Sequence, residues 1–173
     1  MKFIERLWVA LKPSEARRMK YIYNHHIFKG IGENVIFVPR LLPVEPEYIK
    51  IGNNVVVAAR VTFITHDASH FVFNNIYKDR IPYYHGCIEI GDNVFIGSNS
   101  TILPDVRICN NVFIAAGAVV AKDITSEGVW GGVPARRLKS FEELYQNRLM
   151  SKTDAECNVE NCWKNFYEKR KML

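Results

Sequence analysis

An all-β solenoid, a stack of coils built from short strands and tight turns, is the fold class this sequence predicts, and three observations predict it. First, large apolar residues recur every six positions: Ile51, Val57 and Phe63, then Ile90, Ile96, Ile102, Ile108, Ile114 and Val120. A six-residue step fits neither the helical period of about 3.6 nor the two-residue alternation of one long strand. It fits strand, turn, strand, turn, with each strand placing an apolar side chain inward. Second, the residues four positions after these are mostly small or β-branched: Val55, Val61, Val94, Ser100, Val106, Val112, Ala118 and Ile124, with Asp67 the exception. Third, the position between falls at Asn54, Arg60, His66, Asn93, Asn99, Asp105, Asn111, Gly117 and Asp123. All but Arg60 and His66 are of the types that tolerate the left-handed backbone of a tight corner. Three such units close one coil, so 51–68, 90–107 and 108–125 each read as a coil that touches only its neighbours in the stack.

The elements follow in chain order. Residues 1–30 form an N-terminal helical segment, 31–135 the β-solenoid and 136–173 a C-terminal helical tail. Near the start, Phe3, Ile4, Leu7, Trp8 and Leu11 share one face of a short amphipathic helix. A second helix follows Pro13 with Ser14 as its cap. This segment is expected to cover the open end of the coils in preference to docking on a membrane surface. IGENVI, from Ile31 with Asn34 at its corner, opens an irregular first coil carrying Pro39, Pro43 and Pro46. From Phe63 to Ile90 the spacing is not a multiple of six, so 69–89 is one long excursion loop. Its aromatics Phe71, Phe73, Tyr77, Tyr83 and Tyr84 argue for an ordered loop packed on a neighbouring subunit. Beyond the coils, 140–150 and 159–171 read as charge-rich helices.

Composition narrows the class of function. Hydrophobic residues make up 48% and charged ones 24%, which describes a globular chain. The net charge is +5, but the basic residues are scattered and concentrate only after Ala135, so a small anionic ligand is expected and nucleic acid is not. No apolar run approaches the roughly 18 residues of a membrane span. The opening MKFIERLWVALKP carries Glu5, Arg6 and Lys12 without a cleavage site, so it does not read as a signal peptide. Cys87, Cys109, Cys157 and Cys162 lack zinc-ligand spacing and read as reduced thiols; the expected location is cytoplasmic.

The segments IGNNVVVAARVTFITHD, IEIGDNVFIGSNSTILPDVRICNNVFIAAGAVVAKDI and GGVPARRLK resemble the hexapeptide-repeat acyltransferases, and most of all the branch that O-acetylates sugars, over about residues 49–139. The resemblance implies a left-handed parallel β-helix, an exception to the right-handed crossover rule. It also implies homotrimers with active sites between subunits, and acetyl-CoA as donor with no metal required. His66, a histidine where a corner residue was due, occupies the place of the family's catalytic base. An imidazole suits proton removal from a hydroxyl near neutral pH. Neither G-x-S-x-G nor a reactive-cysteine signature is present, so transfer is expected to be direct, with a backbone N–H of the adjacent subunit holding the oxyanion.

Arg60, Asp67, His70, Tyr84 and His85 are the expected acceptor-binding residues. Asp67 reads either as an orienting partner of His66 or as a turn residue. Galactoside-type members carry Asn where this chain has Arg60, which suits an acceptor bearing a carboxylate or phosphate, such as a nucleotide-linked or lipid-linked sugar. For the donor, Gly97, Ser98, Ala115, Ala116 and Gly117 let an extended pantetheine approach the backbone, and the coil itself also demands small residues there. Lys122, Arg136 and Lys139 match family positions near the nucleotide phosphates, with Arg137 a further candidate. Ala121 replaces a family threonine. The competing readings are amino-sugar N-acetylation, a carbonic-anhydrase-like metal enzyme using His66, His70 and His85, and a non-catalytic trimeric scaffold.

Overall fold

The computed structural model describes residues 7, 9–12, 14–78, 80–150 and 159–171. Phe3, Ile4, Trp8, Pro13 and Cys157, used above, lie outside the described residues. The chain separates into two units, 1–141 and 142–173.

In the first unit, α1 (Glu15–Asn24) precedes β1 (Gly30–Ile31), β2 (Val35–Phe37), β3 (Ile49–Ile51), β4 (Val55–Val57) and β5 (Thr62–Phe63). An excursion follows, made of β6 (His66–Asp67), α2 (Ser69–Tyr77) and β7 (Tyr84–His85). The coil then resumes as β8 (Ile88–Ile90), β9 (Val94–Ile96), β10 (Thr101–Ile102), β11 (Val106–Ile108), β12 (Val112–Ile114) and β13 (Val119–Val120). It closes with β14 (Gly128–Gly131) and β15 (Arg136–Lys139).

Successive strands go to three sheets in rotation. The first is β1-β3-β8-β11; the second is β2-β4-β9-β12-β14 with β15 at its edge; the third is β5-β10-β13. Within these three sheets every pairing is parallel except β14 with β15, and the registers join the six-residue beat to itself: Ile51↔Ile90↔Ile108, Val57↔Ile96↔Ile114 and Phe63↔Ile102↔Val120. Each of these nine side chains is no more than 6% exposed. Each three-residue coil strand buries both its outer positions, as Ile49 and Ile51 do, so the inward residues fill the core and the hydrophobic effect fixes the register, because a one-residue slip would turn them outward.

The corners are held as their residue types require. Asn34, Asn54, Arg60, Asn93, Asn99, Asp105, Asn111 and Gly117 all have positive φ. Along one edge the asparagine amides also form a ladder: Asn34 Nδ2 donates to Asn54 Oδ1 at 2.9 Å, Asn54 to Asn93 at 2.8 Å and Asn93 to Asn111 at 2.9 Å. Two expected corners differ. Asp123 turns without a positive φ, its Oδ1 accepting the Arg107 N–H at 2.8 Å. His66 is no corner either, because the chain leaves the coil here and runs extended as β6, pairing antiparallel with β7.

The excursion contains a nine-residue helix, α2, where a loop was expected, and none of its residues is buried. Phe71, Ile76 and Tyr77 are 69%, 62% and 66% exposed. At the N-terminal end Ser14 caps α1, accepting the Arg17 N–H at 3.4 Å, and Val9, Met19, Ile22 and Phe28 join the core beside Phe37. The end of the stack is thus covered as expected, but by Val9, while Leu7 and Leu11 face solvent. Arg136–Lys139, inside the stretch expected to be helical, is strand β15, folded back on the last rung of the second sheet. In the second unit, helix α3 (Phe141–Met150) precedes helix α4 (Val159–Lys171), whose Trp163, Phe166 and Tyr167 rings cluster with the Arg170 guanidinium 3.9 Å from the Phe166 centroid.

Candidate active site

Where the third sheet hands the chain back to the first, three side chains converge on one carboxylate oxygen. Glu45 Oε2 accepts the Thr65 hydroxyl at 2.9 Å and lies 2.9 Å from His66 Nδ1 and 3.4 Å from His85 Nδ1. The local folding explains the meeting. Val35 pairs with Val55, and the same offset of twenty residues carries Glu45 to Thr65. The buried Thr65 then delivers His66 into β6, whose register sets it opposite His85. Immediately after Glu45 a tight turn, Pro46–Tyr48, sends Tyr48 to stack on His85, with centroids 5.0 Å apart and planes 9° from parallel.

Burial pushes the Glu45 carboxyl up, but the hydrogen bonds from Thr65 and His66 and the positive charge of the two imidazoles outweigh it, so it lies below the usual glutamate value. Glu45 is therefore ionised near neutrality and can only accept hydrogen bonds. His85 Nδ1 makes an ion-pair contact with that oxygen rather than a hydrogen bond, whereas a neutral His66 must present Nδ1–H to it, which leaves the lone pair on Nε2. For His66 that is the state a base requires: one ring nitrogen anchored, the other free to take a proton.

The remaining expected residues distribute unevenly. Tyr83 is the hub of the aromatic contacts, its centroid 5.4 Å from His66, 4.8 Å from His85 and 5.1 Å from His70. His70 Nδ1 is buried without a hydrogen-bond partner among the described residues. Asp67 does not orient His66. Its Oδ1 accepts the Ser69 N–H at 2.9 Å, and hydrogen bonds from Ser69 hold its carboxyl below the usual range. The Tyr84 hydroxyl donates to Asp105, which raises the phenol, and Asp105 Oδ1 accepts the Cys87 N–H at 3.0 Å, so the hairpin is tied to a coil corner. Among the described residues no three His, Cys, Asp or Glu side chains gather as a metal site.

The small residues expected at the donor lie on a different edge, where the second sheet passes to the third. There Arg60 Nε donates to Asn99 Oδ1 at 2.7 Å, and Gly117 N–H donates to Ser98 O at 2.9 Å. Gly97 is demanded by the coil, since a Cβ would stand 2.5 Å from the Ala116 nitrogen. Gly117 is demanded by its φ of +73°, and the space around it is open. Ala116 is exposed, whereas Ser98 and Ala115 are half-buried. Lys122 and Arg136 line one cleft of about 290 Å³ with Trp130 and Pro134. Arg137 Nε donates to Glu127 O at 3.1 Å, and Lys139 pairs with Val129 in the β14–β15 ladder. The chain thus brings His66, His85, Asp67, His70 and Tyr84 together on one edge, and Arg60, Gly97, Ser98, Ala115, Ala116 and Gly117 on another.

Glu45 was not singled out in the sequence. Its signal was the first of two carboxylates, Glu45 and Glu47, in a proline-punctuated stretch, one first-coil offset before Thr65.

Comparison with known proteins adds the following. The family model described as bacterial transferase hexapeptide (six repeats) matches residues 87–122. Protein CapG of Staphylococcus aureus is 44% identical over 64% of this chain and 62% of its own length. The putative acetyltransferase YvoF of Bacillus subtilis is 32% identical over 75% of this chain and 70% of its own. A galactoside acetyltransferase solved in complex with coenzyme A superposes with a TM-score of 0.58 at 28% identity, covering 86% of this chain and 80% of that one.

Proposed function

Because the chain belongs to the hexapeptide-repeat acyltransferase family, we propose that it is an acetyl-CoA-dependent O-acetyltransferase acting on a hydroxyl of a sugar or polysaccharide precursor, with His66 as general base. The observation that carries this reading is the Glu45–His66 pair, 2.9 Å apart, which leaves an imidazole lone pair facing outward from the corner. The galactoside acetyltransferase bound to coenzyme A supports both the donor and the acceptor class.

The reaction follows from the geometry. The acceptor hydroxyl donates to His66 Nε2, and as its oxygen attacks the thioester carbonyl the proton passes to that nitrogen. A carbon–oxygen bond forms, the carbon–sulfur bond breaks, and the imidazolium returns the proton to the departing thiolate. Glu45, half-buried, stabilises the imidazolium in between, as the carboxylate of a Ser-His-Asp triad does for its histidine. Asp67, His70 and Tyr84 border the acceptor side. Lys122 and Arg136 are suited to phosphates, with Lys139 and Arg137 further along the same strand. The small residues Ser98, Ala116 and Gly117 are suited to an extended amide-bearing arm. Arg60 adds a cation for an acidic or phosphorylated acceptor.

The same reading takes the three parallel sheets as a left-handed β-helix. It assembles the chain as a homotrimer, so that the histidine edge of one subunit faces the small-residue edge of the next. The reaction is assigned to the cytoplasm, where acetyl-CoA is available. Thiol release from acetyl-CoA, measured against neutral, acidic and nucleotide-linked sugars, tests the proposal. His66→Ala is expected to lower kcat by roughly 10²–10⁴-fold with donor binding intact. Equal rates in the variant would remove His66 from the role.

A further inference from the structure

The paired strands β6 and β7 hold two imidazoles, and the reaction uses one. Both direct Nδ1 to the same Glu45 oxygen, at 2.9 Å and 3.4 Å. His85 lacks the hydrogen bond that fixes the His66 tautomer, but its Nδ1 faces the same charge at ion-pair distance, and a neutral ring holding its proton there offers a second Nε2 lone pair. Their ring centroids are 6.4 Å apart in an edge-on arrangement, and both side chains reach solvent, 28% exposed for His66 and 33% for His85. A hydroxyl carries a single proton and can donate to only one of these nitrogens. Two hydroxyls are needed to satisfy both. Beside both stands Tyr83, 40% exposed, its ring centroid 5.4 Å from His66 and 4.8 Å from His85. Its aromatic face suits the C–H face of a pyranose, a surface that a simple alcohol or an amine does not offer.

Resting on the proposed acetyl transfer, we infer that the acceptor is a sugar diol: one hydroxyl is acetylated at His66, and the hydroxyl on a neighbouring carbon donates to His85, which makes His85 a specificity-determining residue. Glu45 holds the pair of acceptors at a fixed spacing, and the Tyr48 stack keeps the His85 plane from rotating away. His85 takes no proton during the reaction, so its loss weakens recognition and leaves the chemistry in place.

The test uses the full-length protein and a set of methyl hexopyranosides, with the mono-deoxy analogues of whichever pyranoside supports thiol release. Product NMR identifies the acetylated position. The expected result is that wild type loses about 10–100-fold in kcat/KM when one hydroxyl adjacent to that position is removed, mainly through KM. His85→Ala should lose a similar factor on the parent sugar and no further activity on that deoxy analogue, with partial recovery in His85→Gln, which restores an acceptor oxygen. If His85→Ala loses the same factor on parent and analogue alike, His85 acts only through Glu45 and the inference is wrong. A wild type indifferent to every neighbouring hydroxyl would also overturn it. Turnover with an amine in place of the hydroxyl and no diol requirement would overturn it too while leaving acetyl transfer standing. The absence of turnover on every pyranoside would remove the acetyl-transfer reading itself.

Discussion

At the scale of single residues, the site depends on one oxygen atom. Glu45 Oε2 fixes the tautomer of His66 through Nδ1 and is itself held by Thr65. Replacing Glu45 by Gln keeps the size and an acceptor but removes the charge and admits the wrong tautomer. We expect kcat to fall by at least about tenfold with donor affinity unchanged, as read by steady-state kinetics and calorimetry. The same residue gives a pH signature. Its carboxyl lies lower in the folded chain than the ordinary value of 4.5. The stability it contributes is therefore complete above that value and is lost as pH falls through the lower folded value. Urea titrations between about pH 7 and pH 3 should show wild type losing more stability on acidification than Glu45→Gln; parallel curves would contradict this. His66 was legible in the sequence because it broke the pattern of corner residues, yet the reason for the break was different. It sits outside the corner altogether, in a two-residue strand. Glu45 was not legible, since its partner lies twenty residues away and no short motif joins them.

At the scale of elements, the strands, their register and seven of the nine proposed corners followed from a six-residue period, because each strand commits its inward side chains to the core and each corner requires a particular backbone. The asparagine ladder adds a testable cost. Asn93→Ala forfeits amide bonds to both Asn54 and Asn111 and leaves a Cβ residue at φ +57°, so about 1–2 kcal/mol should be lost in denaturant unfolding, and Asn93→Gly should lose less. Gly97→Ala inserts a methyl 2.5 Å from a backbone nitrogen of the next coil and should cost about 1–3 kcal/mol by the same measurement. The excursion was legible as an interruption but not as a helix. No residue of Ser69–Tyr77 is buried as a whole within its own chain, so no amphipathic period is imposed on it. Strand β15 was hidden for a related reason. Three of its four residues RRLK are basic and most are exposed, and only their antiparallel pairing with β14 makes them a strand.

At the scale of the whole molecule, the expected base and the expected donor contacts occupy different edges of one chain. A trimer in which the edges of neighbours face each other predicts complementation. A His66→Ala chain and a chain whose Ala116 is replaced by a bulky Trp should each be inactive alone. Refolded together in equal amounts, they should recover about one quarter of wild-type activity, the fraction of random neighbours that pair an intact histidine edge with an intact small-residue edge. Recovery of no activity would place the whole site within one chain. The register also carries a consequence for how this protein changes over time. Between stacked corners the sequence step is 18 residues where the coil runs uninterrupted and 39 where the excursion departs, yet the asparagine ladder passes both without a break. The stack does not sense how much chain leaves at that edge, provided it returns at Ile88. The excursion is therefore an exchangeable cassette, and grafting another length of chain between Asp67 and Tyr84 is expected to change which acceptors the proposed site takes while the frame that holds His66 keeps its shape.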